Sequence, residues 1–342
     1  MSVTAPSRPA PGGAAAALEG QAPQAPLPAP RSGQAVADAT SQSPAAVFLV
    51  RPRHFTPNPA TLGDNAFQSE AAGGAETVAA RARAEVTTLA AALRARGIAV
   101  RVFDDASATR PDSVFPNNWV TTHADGTVCL YPLYAPNRRQ ERRADVLRRL
   151  REQFVVRRVI DYSPREDDGL FLEGTGAMVL DHVHRLAYAC RSRRMDEELL
   201  EEFCADRGFT PVVFDAADAS GVPIYHTNVM MSIGQSLALI GDSLILDRAQ
   251  RERVLDSLGT GGRAIVHLDE EQIAAFAGNC LELRGSRGAV LAMSTTARAA
   301  LTRAQLAVIG EHAEVVAVDV PTIESAGGSV RCMIAGNHLT PR

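Results

Sequence analysis

Cys332 closes the run Ile323-Glu324-Ser325-Ala326-Gly327-Gly328-Ser329-Val330-Arg331. The paired glycines let backbone approach a ligand, and the guanidinium next to the sulfur favours a thiolate, a nucleophile that needs no further activation. His226, in Pro223-Ile224-Tyr225-His226-Thr227-Asn228, precedes the apolar run Val229-Met230-Met231, a strand end that would present a general acid/base to a pocket. Glu173 sits between Phe171-Leu172 and Gly174-Thr175-Gly176, where desolvation would raise its pKa and suit it to proton transfer. Asn117-Asn118, between Phe115-Pro116 and Trp119, offer two neutral amides. Each also has a plain reading: a buried thiol as a small hydrophobe, a lone histidine as core, Glu and Asn as turn residues.

Competing constellations are weaker. His267-Leu268-Asp269 has His-x-Asp spacing, but Asp269 with Gln272 reads as a helix capping box. His182-Val183-His184 could put two imidazoles on one strand face, yet no third ligand follows at suitable spacing, so no metal is expected. Cys129, Cys190, Cys204, Cys280 and Cys332 form an odd set with no CxxC pair, which argues against a disulfide framework and for reduced thiols in the cytoplasm.

Composition narrows the classes. The chain has 342 residues, 46% hydrophobic and 22% charged, with a net charge of −4, which is globular composition with no electrostatic case for nucleic acid or an anionic membrane. All 35 basic residues are arginine, so phosphate-loop, Schiff-base and pyridoxal chemistry lack their lysine. No run approaches the ~20 apolar residues of a membrane span, and no secretory signal pattern opens the chain. Residues 1–44, rich in Ala, Pro, Gly, Ser and Gln without one aromatic, read as a disordered tail, with a transit peptide as the lesser alternative. Residues 45–342 read as one catalytic domain.

The elements that must position the chemistry alternate. Strands are expected at 45–50, 98–103, 127–131, 155–160, as two short strands within 176–190, and at 212–214, 230–233, 237–240, 264–268, 281–283, 289–293 and 315–318. Helices are expected at 74–97, 138–152, 195–207, 248–258, 269–277 and 297–310, the second an Arg-rich, solvated face. A helix recurs about every 60 residues with two or three strands between, and no G-x-G-x-x-G opens a helix. Both point to a closed, pseudo-symmetric α/β arrangement rather than a dinucleotide-binding fold.

Taken in order, the segments resemble the guanidino-group modifying superfamily, and within it the citrulline-utilisation hydrolases (citrulline ureidases). The matching segments are Arg51-Pro52, Asp64-Asn65-Ala66-Phe67-Gln68, Phe115-Pro116-Asn117-Asn118-Trp119, Ala135-Pro136-Asn137-Arg138-Arg139, Leu172-Glu173-Gly174-Thr175-Gly176, Tyr225-His226-Thr227-Asn228 and Arg331-Cys332-Met333. The resemblance implies a five-bladed α/β propeller, the pentein fold, of ββαβ blades around a polar channel. It implies Cys332 as nucleophile, His226 as general acid/base and Glu173 as the carboxylate that binds the substrate nitrogens. Ser192-Arg193-Arg194-Met195 is similar to the family's Ser-x-Arg-Thr, with Met195 in place of Thr, which makes Arg194 the candidate for the substrate α-carboxylate.

Where arginine deiminases resemble Phe-x-Arg-Asp and His-x-Asp, this chain has Asn118 and Asn228. A guanidinium only donates hydrogen bonds and pairs with carboxylates, whereas a ureido group also presents a carbonyl acceptor that an amide can answer. The expected reaction is hydrolysis of citrulline to ornithine, carbon dioxide and ammonia through an S-carbamoyl cysteine, with no cofactor. The alternatives are an arginine deiminase, a dimethylargininase, an amidinotransferase and, from another class, a non-catalytic ligand-binding propeller. The expected partner is a small ureido or guanidino amino acid, with a homo-oligomer left open.

Overall fold

The computed structural model describes residues 41–63, 65–69 and 71–342. The expected tail therefore lies outside the described residues except at its last four positions. There Gln42 and Ser43 are buried: Gln42 Nε2 donates to Leu180 O at 2.9 Å and Ile233 O at 3.1 Å, and Ser43 donates to Glu282 at 2.5 Å. These four residues therefore belong to the fold and not to the expected tail, because the Gln42 and Ser43 side chains satisfy carbonyl and carboxylate groups deep in it.

The described residues form five three-stranded sheets of one topology. β1 (Ala46–Pro52) is followed by helix Ala75–Arg94 and the parallel β2 (Ala99–Asp105). Next, β3 (Val120–Thr122) pairs antiparallel with β4 (Thr127–Leu130); helix Ala144–Gln153 then leads to β5 (Arg158–Asp161), parallel to β4. The pattern repeats in β6 (Met178–Asp181), β7 (Leu186–Cys190), helix Glu197–Arg207 and β8 (Thr210–Phe214). It repeats again in β9 (Met231–Ile233), β10 (Leu237–Ile240), helix Arg248–Leu258 and β11 (Ala264–His267). The next copy is β12 (Leu281–Gly285), β13 (Gly288–Ser294), two helices and β14 (Glu314–Val318). Finally β15 (Ala335–Asn337) returns to pair antiparallel with β1, opposing Asn337 to Ala46, and completes the first sheet as a fifth ββαβ unit.

Each helix crosses from the middle strand of its unit to a parallel partner, and parallel pairing requires such a crossover. Helix Ala75–Arg94 shows why it packs as it does: Val78, Ala82, Val86, Leu89 and Leu93 recur every three or four residues and are buried against Val47 and Leu49 of β1. Asp269 and Gln272 form the expected capping box. The single helix expected at 297–310 is two, Thr295–Ala300 and Arg303–His312, because Thr302 starts a new N-terminus with its own capping box to Gln305. The Arg-rich helix also divides. Residues 136–141 form a 3₁₀ turn that buries Arg138, and only 144–153 form the amphipathic helix. β3 and β15, three residues each, carry no periodic signal and were not expected. Among the described residues no helix is long and apolar enough to cross a membrane.

Candidate active site

The polar residues gather at one recurring place, the turn that enters the first strand of each unit. Asn117 and Asn118 lie in the 3₁₀ turn Pro116–Asn118 before β3, and Glu173 caps the turn Gly174–Ala177 before β6. His226 caps the turn Thr227–Met230, which contains Asn228 and leads into β9. Asn279 stands before β12, and Cys332 is in the turn Val330–Met333 before β15. One turn from each of the five units thus lies in the same region, and the turns of Asn118, His226 and Cys332 line a cavity of about 20 Å³ there. Its wall includes Asn118, Arg194, His226 and Cys332, together with Arg138, Asp112, Tyr225 and Asn65. Glu173 and Asn117 are fully buried and stand behind that wall rather than on it.

Glycine makes this convergence sterically feasible. A Cβ on Gly176 would lie 2.4 Å from the Asn118 amide and 2.8 Å from the His226 ring. Gly174 adopts φ +44° with its α-carbon against the Asn117 carbonyl, a conformation and an approach that a side chain would block.

Around the sulfur the donors are amides. Asn228 Nδ2 lies 3.4 Å and Asn279 Nδ2 lies 3.2 Å from Cys332 Sγ. Asn279 is held by donating to Asn228 O at 3.0 Å and by accepting from Ser329 N at 3.1 Å. Burial pushes the Cys332 thiol above its ordinary value, more than the two amides and Arg331 pull it down. The expected thiolate is therefore not the resting form: the neighbouring guanidinium acts in the anticipated direction, but desolvation wins.

Glu173 also differs from its expectation. Burial would raise its pKa, yet the charges of Arg194 and Arg138 and the bond from His226 hold it well below the usual carboxylate range. Its Oε2 receives His226 Nε2 at 2.8 Å, Arg138 Nη1 at 3.3 Å and Arg194 Nη1 at 3.3 Å, while Oε1 accepts from Tyr134 N at 3.0 Å. The sequence shows the glycines and the apolar pair beside Glu173 but not two arginines from distant turns. An ionised Glu173 accepts only, so His226 Nε2 carries the proton and Nδ1 the lone pair. Burial lowers the His226 pKa to about 4, against the pull of Glu173, so the imidazole is neutral at neutral pH.

Two site residues went unnoticed. Arg138, read as part of a solvated face, is buried and pairs with Asp112 at 3.3 Å, Glu141 at 3.0 Å and Glu173 at 3.3 Å. The Asn118 carbonyl oxygen accepts from Arg138 Nη2 at 3.0 Å. Asn279 had a usable signal, since it precedes its strand as the other four site turns precede theirs. Arg194 lines the cavity with its guanidinium over the Tyr225 ring, 5.1 Å from the centroid. The two decoys lie elsewhere: exposed His267 bonds Asp242 at 2.8 Å and His184 bonds Asp181 at 2.9 Å.

Sequence comparison now adds family. A profile described as N,N dimethylarginine dimethylhydrolase, eukaryotic, matches residues 51–339. The chain belongs to this family. No curated protein sequence matches it. Among solved structures, the chain is similar to the substrate-bound N-terminal domain of ArgZ, an arginine dihydrolase from the ornithine–ammonia cycle in Cyanobacteria. That likeness has 17% identity and a TM-score of 0.66 over 84% of this chain and 96% of that one. Unliganded AgrE gives 16% and 0.63 over 84% of this chain and 38% of AgrE, so the dimethylhydrolase-family chain spans well under half of that protein. A dimethylarginine dimethylaminohydrolase adduct with S-methyl-L-thiocitrulline gives 15% and 0.58, over 85% and 98%. At these identities the likenesses establish a shared pentein-type α/β fold.

Proposed function

We propose that the protein is a cytoplasmic cysteine hydrolase of a ureido amino acid, with citrulline as the substrate and ornithine, carbon dioxide and ammonia as products. Its five ββαβ units are read as the blades of one propeller domain, with the site at the end of the axis where the five entry turns meet.

One observation carries the substrate. Among the described residues the side-chain donors to Cys332 Sγ are the amides of Asn228 and Asn279, while the carboxylates nearby, Asp112, Glu141 and Glu173, are each already ion-paired with Arg138. A substrate guanidinium would meet committed carboxylates and two cationic arginines, Arg138 and Arg194. A neutral ureido group meets the Asn228 amide, which has both an acceptor for its N–H groups and a donor for its carbonyl.

In the proposed mechanism, Cys332 Sγ attacks the ureido carbon as its proton passes to neutral His226. The imidazolium, steadied by Glu173, gives that proton to the δ-nitrogen, the C–N bond breaks, and ornithine leaves. Water, deprotonated by His226, then attacks the S-carbamoyl carbon. The thiol is restored, and the released carbamate decomposes to carbon dioxide and ammonia. Arg194 takes the substrate α-carboxylate.

The family match favours a second reading, in which the same cysteine and histidine convert N,N-dimethylarginine to citrulline and dimethylamine. Incubation with citrulline, arginine and dimethylarginine separately, with assay of ornithine, citrulline, ammonia and dimethylamine, decides between them. Ornithine and ammonia from citrulline alone are expected. Citrulline formed from either guanidino compound, without ornithine, would replace the ureidase reading.

A further inference from the structure

One residue before the nucleophile, Arg331 lines a different cavity, of about 60 Å³. It is bounded by the first strand of every sheet: Thr121 on β3, Leu180 on β6, Ser232 on β9, Leu281 on β12 and Gly336 on β15. This is the interior shared by the five units, beyond the turns that form the candidate active site.

No aspartate or glutamate is among the residues lining it. The Arg331 guanidinium makes one hydrogen bond among the described residues, from Nη1 to Ile334 O at 3.1 Å, and no ion pair is found for it there. Burial lowers its pKa to about 10, as for a cation short of a counter-charge. His182 and His338 face the same space with ring centroids 4.6 Å apart, and their ring nitrogens have no hydrogen-bond partner among the described residues. Burial keeps both imidazoles neutral, so each has one N–H to give. A cation and two unused donors around an interior cavity without carboxylates is an arrangement that an anion completes, since an oxyanion accepts charge-assisted bonds from all three at once.

We propose that this cavity is a binding site for a small inorganic oxyanion, held by the guanidinium of Arg331 and the N–H groups of His182 and His338. The space suits bicarbonate or phosphate and excludes a nucleotide or peptide. Arg331 favours the Cys332 thiolate through its charge, so an anion resting on Arg331 offsets that field and lowers the reactivity of the thiol. The inference rests on the cavity and not on the substrate assigned to the active site.

The test adds sodium bicarbonate, sodium phosphate or sodium chloride to the full chain at constant ionic strength and pH. Thermal stability and the rate of Cys332 alkylation by iodoacetamide, followed on the Cys332 peptide by mass spectrometry, are the readouts. A saturable rise in Tm and several-fold slower alkylation with bicarbonate or phosphate are expected, both lost in Arg331→Gln and His338→Gln. The proposal is overturned if neither oxyanion acts saturably, if chloride acts equally, or if the effect survives in His338→Gln. Should Arg331→Gln fail to fold, His338→Gln decides alone. Citrulline turnover is scored separately, so either reading can fail without the other.

Discussion

Burial selects the protonation states in which Cys332 and His226 meet: a neutral thiol and a neutral imidazole. In the proposed mechanism His226 must accept a proton, so the acid limb of kcat/KM follows the imidazole in its site. The rate should fall as pH drops through about 4, not through the ordinary histidine value near 6.5. A limb at 6.5 in steady-state pH profiles would contradict this. Asn228→Asp puts a carboxylate in place of the amide 3.4 Å from the sulfur and should move the pH midpoint of Cys332 alkylation upward by about a unit or more. Asn118→Asp replaces the amide N–H of the cavity wall by a second acceptor beside Arg138 and should lower kcat/KM for citrulline by about 100-fold, on the order of 3 kcal/mol. Unchanged citrulline kinetics would remove the argument from paired amides. Cys332, His226 and Glu173 are legible in sequence because glycine or apolar neighbours set them apart from ordinary surface residues. Arg138 is not, because nothing local distinguishes an arginine that will meet three buried carboxylates from its exposed neighbours on the same arginine-rich stretch.

At the scale of elements, the site is built by one-turn helices with no room to adjust. Gly176→Ala forces a methyl group against both the Asn118 amide and the His226 ring. It should cost most of the activity while moving Tm little, since the clash lies in a turn and not in a sheet. A large loss of Tm with kcat intact would mean that the glycine serves folding instead. The longer elements were legible because their apolar period is local: helix Arg248–Leu258 and strand β10 fall where the pattern puts them. β3 and β15 were not, because neither Val120–Thr122 nor Ala335–Asn337 carries an apolar run of its own; β3 is fixed by its hairpin with β4, and β15 by β1 at the far end of the chain. The break at Thr302 shows the reverse failure, a continuous apolar period overruled by a cap. Thr302→Val should destabilise the protein by about 1 kcal/mol in urea unfolding.

For the whole molecule, desolvation depresses the pKa of four histidines: His226 and His338 to about 4, His123 and His182 well below their ordinary value. Between pH 6.5 and 4 the unfolded chain takes up protons that the folded one refuses, so each histidine removes stability as pH falls through this window. His338→Gln should flatten the pH dependence of unfolding free energy by one proton relative to the parent, and parallel curves would show that His338 is not kept neutral.

Among the described residues β15, the strand that the Cys332 turn enters, pairs only with β1, which leaves the ribosome before the other described strands. The nucleophile therefore cannot settle among its amides until all five units have been synthesised and the last strand has found the first. A stalled or prematurely released chain lacking β15 never assembles the thiol with its histidine, so the cell meets no partly made copy with a working reactive cysteine.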